Sequence, residues 1–189
     1  MPAGQNGVVT LAARVYAASH LTGTFVLRSG RKADHYFDKY RFESDPVLLA
    51  DIVEALVPLV PDGVEGLAGL ELGGVPLATM LSSVTGLPAF FVRKQPKKYG
   101  TEQVCEGGEV AGRNLLIIED VVTTGGQMVL SAQDLRAEGA LVGHALCVID
   151  REGGGADVVA AEGIALRALF TMRQLEEAGR AAPPSQAEG

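Results

Sequence analysis

Residues 115–126, LLIIEDVVTTGG, restrict the possible fold of this chain more than any other stretch. The run Leu115 to Ile118 is apolar without polar alternation, which fits a strand buried on both faces of a parallel sheet. Glu119 and Asp120 follow, where that strand is expected to leave the sheet. Gly125 and Gly126 permit backbone conformations that side chains forbid. Gln127 to Glu138 then reads as a helix, with Met128, Leu130, Ala132 and Leu135 as its apolar positions.

The same alternation recurs along the chain. Strands are expected near Val64 to Ala68, Pro88 to Val92, Asn114 to Ile118, Ala140 to Ile149 and Ile164 to Leu169, and helices over Val75 to Val84, Gln127 to Glu138 and Ala156 to Glu162. Upstream, Val8 to His20 has helical spacing, and a hairpin-like region follows with Ser29-Gly30 as its turn. Ser44-Asp45-Pro46 is a helix start, combining a capping residue, an acid suited to the helix dipole and an early proline. Strand–helix repetition predicts an α/β fold, a parallel-sheet core with helices on both faces. One domain over 1–178 is expected, with 179–189 as a frayed tail because AGRAAPPSQAEG is small, polar and proline-bearing.

Composition narrows the classes. Hydrophobic content of 47% against 21% charged residues suits a soluble globular chain with a real core. A formal net charge of −7 argues against nucleic acid as an obligate partner. Cys105 and Cys147 have no C-x-x-C or His-rich company, so a reducing compartment and no structural zinc are expected. The uncharged run from Leu72 to Val92 is long enough to span a membrane, but Gly73-Gly74, Pro76 and Gly86-Leu87-Pro88 break it into a loop, a short helix and a strand. No signal peptide is apparent, and a cytoplasmic location is expected.

In open parallel sheets, ligands bind beyond the carboxyl ends of the strands. Glycine-rich amides at a helix N-terminus make a phosphate cradle there, to which Thr123 and Thr124 add hydroxyls. The two carboxylates would repel a phosphate, so they must serve sugar hydroxyls, a hydrated Mg²⁺ or a developing positive charge. The loop is neither a Walker motif nor a dinucleotide fingerprint. A second signal is VRKQPKKYGTEQVCEGG, residues 92–108. No lysine or arginine lies between Phe42 and Val92, and then Arg93, Lys94, Lys97 and Lys98 arrive together. An arginine suits forked recognition of phosphate oxygens, and lysines on a glycine-flanked loop suit neutralisation of a departing pyrophosphate.

IIEDVVTTGG closely resembles the phosphoribosyl pyrophosphate (PRPP) motif of type I phosphoribosyltransferases, and residues 92–108 resemble the catalytic loop of the orotate phosphoribosyltransferases. The resemblance implies the type I phosphoribosyltransferase fold with a small N-terminal hood over about residues 1–43. It places PRPP on Arg28, Arg93, Lys94, Lys97, Tyr99, Gly73, Gly74 and the run Glu119, Asp120, Val121, Val122, Thr123, Thr124, Gly125, Gly126 and Gln127. Orotate falls to Tyr36, Phe37, Thr123 and Arg151. Lys97, Asp120 and Glu119 are implied as the catalytic residues. Tyr99 stands where the family commonly has histidine, and some relatives carry lysine at the position of Gly73. GTFVLRSGRKADHYFDKYRF resembles the hood and GLELGGVPLA the pyrophosphate loop, and the resemblance implies that the arginine of VIDREGG pairs with the orotate carboxylate.

The implied activity is transfer of phosphoribose from PRPP to orotate in pyrimidine biosynthesis. Mg²⁺ would be held mainly by PRPP and water rather than by the protein directly. A homodimer with the catalytic loop reaching across its interface is implied as well. A purine-using phosphoribosyltransferase and a non-catalytic PRPP-sensing regulator are the two alternatives. Arg151 and the hood favour an acidic pyrimidine over the first, and the acidic chain has no evident nucleic-acid face for the second.

Overall fold

A computed structural model describes residues 4–26, 30–94 and 104–181. The expected strand-and-helix alternation is there. It begins with helix α1 (Gly4–Ser19), an antiparallel hairpin of β1 (His20–Val26) and β2 (Lys32–Phe37), and a short helix α2 (Tyr40–Ser44). Helix α3 (Pro46–Leu56) starts where the sequence places it. Asp45 is its cap, its Oδ1 accepting from the Val47 and Leu48 amides at 3.0 Å each. The main sheet then builds through β3 (Gly66–Leu70), α4 (Gly74–Thr85), β4 (Ala89–Val92), β5 (Cys105–Glu106), β6 (Asn114–Val122), α5 (Gly126–Ala137), β7 (Leu141–Asp150), α6 (Gly155–Ala161), β8 (Ala165–Thr171) and α7 (Met172–Ala181).

The strand order is β5-β4-β3-β6-β7-β8, parallel except for the antiparallel edge strand β5. Two apolar clusters, one on each face, hold the layers together. Leu116 and Ile118 of β6 pack with α1, α3, α4 and α7, while Leu115 and Ile117 pack with α5 and α6. This two-sided burial explains the unbroken apolar run at the start of β6.

The chain leaves β3 toward β4 on one side and returns to β6 on the other, so the strand order reverses between β3 and β6. Such a reversal opens a crevice at the carboxyl ends of the two strands. The stretch 72–92 is split between α4 and β4, and among the described residues no helix is long and apolar enough to cross a membrane.

Two expectations are corrected by the packing. Strand β6 does not end at Ile118. Its pairing with β7 continues through Glu119↔Cys147 and Val122↔Asp150, so the acidic pair lies inside the strand. Residues 179–181, assigned to the tail, belong to α7. Its Leu175 and Ala178 are buried, and the Gly179 backbone lies so close to the Tyr16 ring of α1 that a side chain there would collide with it.

Candidate active site

The site segments expected from the sequence that fall within the described residues, apart from the hood hairpin, reach the same edge of the sheet. The β3–α4 connection carries Gly73 and meets α4 at Gly74, Arg93 and Lys94 follow β4, Thr123 to Gly126 follow β6, and Arg151 follows β7. Arg28, Lys97 and Tyr99 lie outside the described residues.

Beyond β6, the backbone from Val121 to Met128, together with Glu119, lines a cavity of about 190 Å³ at the start of α5. Gly125 has φ +75°, a left-handed conformation that favours glycine, and a Cβ there would come 2.7 Å from the Gly155 carbonyl oxygen. The loop is thus seated tightly on the glycine loop after β7, where the Gly155 amide donates to the Thr123 carbonyl at 3.1 Å. A Cβ on Gly126 would meet nothing within 4 Å. The side-chain position at Gly126 is thus open at the N-terminus of α5, where helix amides are available to an anion.

Beyond β4, a neighbouring cavity of about 410 Å³ is lined by Glu71, Val75, Phe91, Val92, Arg93 and Glu106. Arg93 Nε donates to Glu106 Oε1 at 3.0 Å, and the Lys94 amide donates to Glu71 Oε2 at 3.0 Å. The two cavities are distinct in the free chain. Their parent strands β4 and β6 are separated only by β3, a span of roughly 10 Å at ordinary strand spacing.

The extension of β6 sends Glu119 and Asp120 to opposite faces, because side chains alternate along a strand. Glu119 lines the cradle cavity. Asp120 is fully buried on the other face, where its Oδ1 accepts from the Val121 amide at 2.6 Å and its Oδ2 lies 2.5 Å from Lys39 Nζ. Gly73 presses against this carboxylate so closely that any side chain would collide with it, and a Cβ would also lie 2.7 Å from Glu43 Oε1.

These groups form one electrostatic unit. Burial, then the hydrogen bond and charge of Asp120, push the Glu43 carboxyl up to about 9, with Lys39 opposing the shift. Burial, then the charge of Asp120, push Glu119 up to about 9 as well, opposed by Lys39 and more weakly by Lys94. Burial acts to lower the pKa of Lys39, but the hydrogen bond to Asp120 and the charges of Asp120 and Glu119 outweigh it and the net shift is upward. Near neutral pH the cluster therefore carries less negative charge than three carboxyls suggest, which eases the repulsion between Glu119 and a phosphate in the cradle.

The comparisons with known proteins bear on what such a site serves. Residues 48–162 match the model of the phosphoribosyl transferase domain. The chain belongs to the phosphoribosyltransferase family. An orotate phosphoribosyltransferase of Nocardioides sp. is 51% identical over 172 residues, covering 91% of this chain and 96% of that protein. One from Methanocella arvoryzae is 41% identical over 153 residues, covering 81% and 87%. The crystal structure of Mycobacterium tuberculosis orotate phosphoribosyltransferase in complex with PRPP superposes with a TM-score of 0.77 at 29% identity, covering 90% of this chain and 99% of that one.

Within this phosphoribosyltransferase fold, the hood places its residues unequally. Phe37 packs against the core, whereas Tyr36 is 45% exposed and rests against Phe25 with ring centroids 5.6 Å apart. Arg151 is exposed and forms no ion pair among the described residues, while the Asp150 carboxylate accepts from the Glu152 amide at 2.8 Å. The sequence reading missed Lys39 and Glu43. Their i, i+4 spacing at α2 was available as a signal, but nothing local shows that this pair turns toward β6. It missed Glu71 and Glu106 for the same reason. Cys105 and Cys147 are buried free thiols, both shifted upward by burial, the former to about 12, which suits packing rather than nucleophilic chemistry.

Proposed function

We propose that the protein transfers the 5-phosphoribosyl group from PRPP to orotate, giving orotidine 5'-monophosphate and pyrophosphate. The observation that carries this reading is the convergence of the amide cradle, the Gly73 loop, Arg93 and Arg151 on one sheet edge where the strand order reverses. The cradle from Thr123 to Gln127 anchors the 5-phosphate, with Val121 and Val122 leading the backbone into it. This binding, remote from the reacting bond, sets the position of ribose C1. Arg93 and Lys94, with Arg28, Lys97 and Tyr99 from outside the described residues, receive the pyrophosphate. Gly73 and Gly74 offer it backbone groups. Glu119 and Asp120 orient the ribose, and the negative charge they share favours its positive charge as the bond to pyrophosphate breaks.

The bond from C1 to the pyrophosphate oxygen breaks with its electron pair leaving on oxygen. Orotate N1 supplies the pair for the new bond and gives up its proton. The transition state has oxocarbenium character, as in glycoside cleavage. Exposed Arg151 is suited to a bidentate pair with the orotate carboxylate, and Tyr36, Phe37 and Thr123 flank its ring.

Among the described residues no three acidic, histidine or cysteine side chains form a metal-holding set. Glu119 Oε2 is buried at the cradle without a hydrogen-bond partner, which fits contact with the water shell of a cation carried by PRPP. Mg²⁺ bound in that way would neutralise charge on the leaving pyrophosphate. The working form is a homodimer in the cytoplasm, with the connection between β4 and β5 closing across the interface to exclude water.

Loss of orotate absorbance that requires both PRPP and Mg²⁺ tests the assignment, and no loss refutes it. Adding purine bases in competition tests the base preference. Lys97→Ala should lower turnover far more than it weakens orotate binding.

A further inference from the structure

Asp120 is the most enclosed charged side chain among the described residues, with none of its surface exposed. The β3–α4 loop, its nearest neighbour, can bring no side chain to it, because the Gly73 backbone already occupies the approach. Its countercharge comes instead from the hood: Lys39, at the entrance to α2, reaches in so that its Nζ lies 2.5 Å from Asp120 Oδ2. The other oxygen is held by the Val121 amide, so both ends of the carboxylate are fixed. One turn further along, Glu43 Oε1 is buried in the same space. Phe42 between them has no exposed surface and anchors this short helix in the core. The hood thereby delivers a cation and an acid to the catalytic strand from a rigid support.

We propose that Lys39 is a positioning residue for the phosphoribosyl transfer: its ion pair with Asp120 locks that carboxylate in the orientation it holds beside Gly73, and makes a correctly seated hood a condition for a complete site. This rests on the function proposed above. A carboxylate that is free to rotate loses its alignment with the ribose, and small misplacements near a reacting centre are costly. A merely structural Lys39 would affect stability alone. A positioning Lys39 affects the rate in molecules that are folded.

The test uses the full chain with PRPP, Mg²⁺ and orotate. Lys39→Cys should lower kcat by about 10- to 100-fold with the KM for orotate within about threefold of the parent. Alkylation of that variant with 2-bromoethylamine rebuilds a lysine-like ammonium and should recover most of the lost kcat; the two natural thiols are buried and resist the reagent. Because removing the cation leaves a buried charge unpaired, Lys39→Gln combined with Glu43→Gln serves as a second variant. Relative to Lys39→Gln alone, it should regain thermal stability and still turn over slowly. Unchanged kcat in folded Lys39→Cys, or full recovery of kcat in the double variant, overturns the inference while leaving the proposed function intact. If the parent protein consumes no orotate, the function itself fails, and the inference fails with it before any variant is needed.

Discussion

At single positions, the glycines of this site differ in what they exclude. Gly73 has an ordinary helical backbone, so its need for glycine is steric: a methyl group would collide with the Asp120 carboxylate. Gly73→Ala should therefore cost about 1–3 kcal/mol of stability, as overpacking does, and lower kcat/KM along with it. Gly126 is the opposite case. A methyl group there meets nothing in the free protein, so Gly126→Ala should change stability by no more than about 0.5 kcal/mol yet raise the KM for PRPP. Unfolding scans and PRPP titrations on the two variants separate these outcomes, and an unaltered KM in Gly126→Ala would argue against the cradle. The cradle was legible because strand, hydroxyl pair and glycines are contiguous. The Lys39–Asp120 contact was not, since it joins side chains from the hood and the sheet that only the tertiary fold brings together. Even so, carrying the period of two beyond Ile118 would have shown that Glu119 and Asp120 cannot face the same way.

At the scale of elements, most of the architecture could be read in advance because the buried strands are short apolar runs ended by turn residues. What escaped notice had weak local signals. Strand β5 is two residues long and exists by pairing with β4, through Phe91↔Glu106 and Val92↔Cys105. Helix α7 is absent from the helices expected from the sequence, although Met172, Leu175 and Ala178 keep a helical stripe that packs with α1. The best local signal was the start of α3. Asp45→Ala removes a carboxylate that serves two otherwise unpaired amides, and should cost about 1 kcal/mol. For a chain of this size that is a fall of about 2–4 °C in Tm, readable by calorimetry, with little change in turnover because the Asp45 carboxylate serves the α3 amides and not the Asp120 cluster. A larger loss of activity than of stability would show that α3 positions the hood more directly than its packing suggests.

Across the whole molecule, the buried acids set how stability responds to pH. Glu43 on α2 and Glu119 on β6 are each raised from an ordinary value of 4.5 to about 9, in surroundings that also contain Asp120, Lys39 and, beside Glu119, Lys94. Between those limits the folded state holds protons that the unfolded chain has released. Stability must then fall as pH rises through this window, because raising the pH draws protons from the state that binds more of them. The upward shift of Lys39 adds to the trend only near its own ordinary value of 10.5, and the two thiols only above 9. Thermal unfolding of the ligand-free protein at constant ionic strength should thus show Tm declining steadily from pH 6 to 9. Glu43→Gln removes one of the two groups responsible and should flatten that decline, with the largest gain over the parent at the alkaline end. A Tm that climbs across the same range, or a slope indifferent to Glu43→Gln, would mean that the two acids are solvated in the folded protein, and that the enclosed hood–strand contact around Asp120 does not form.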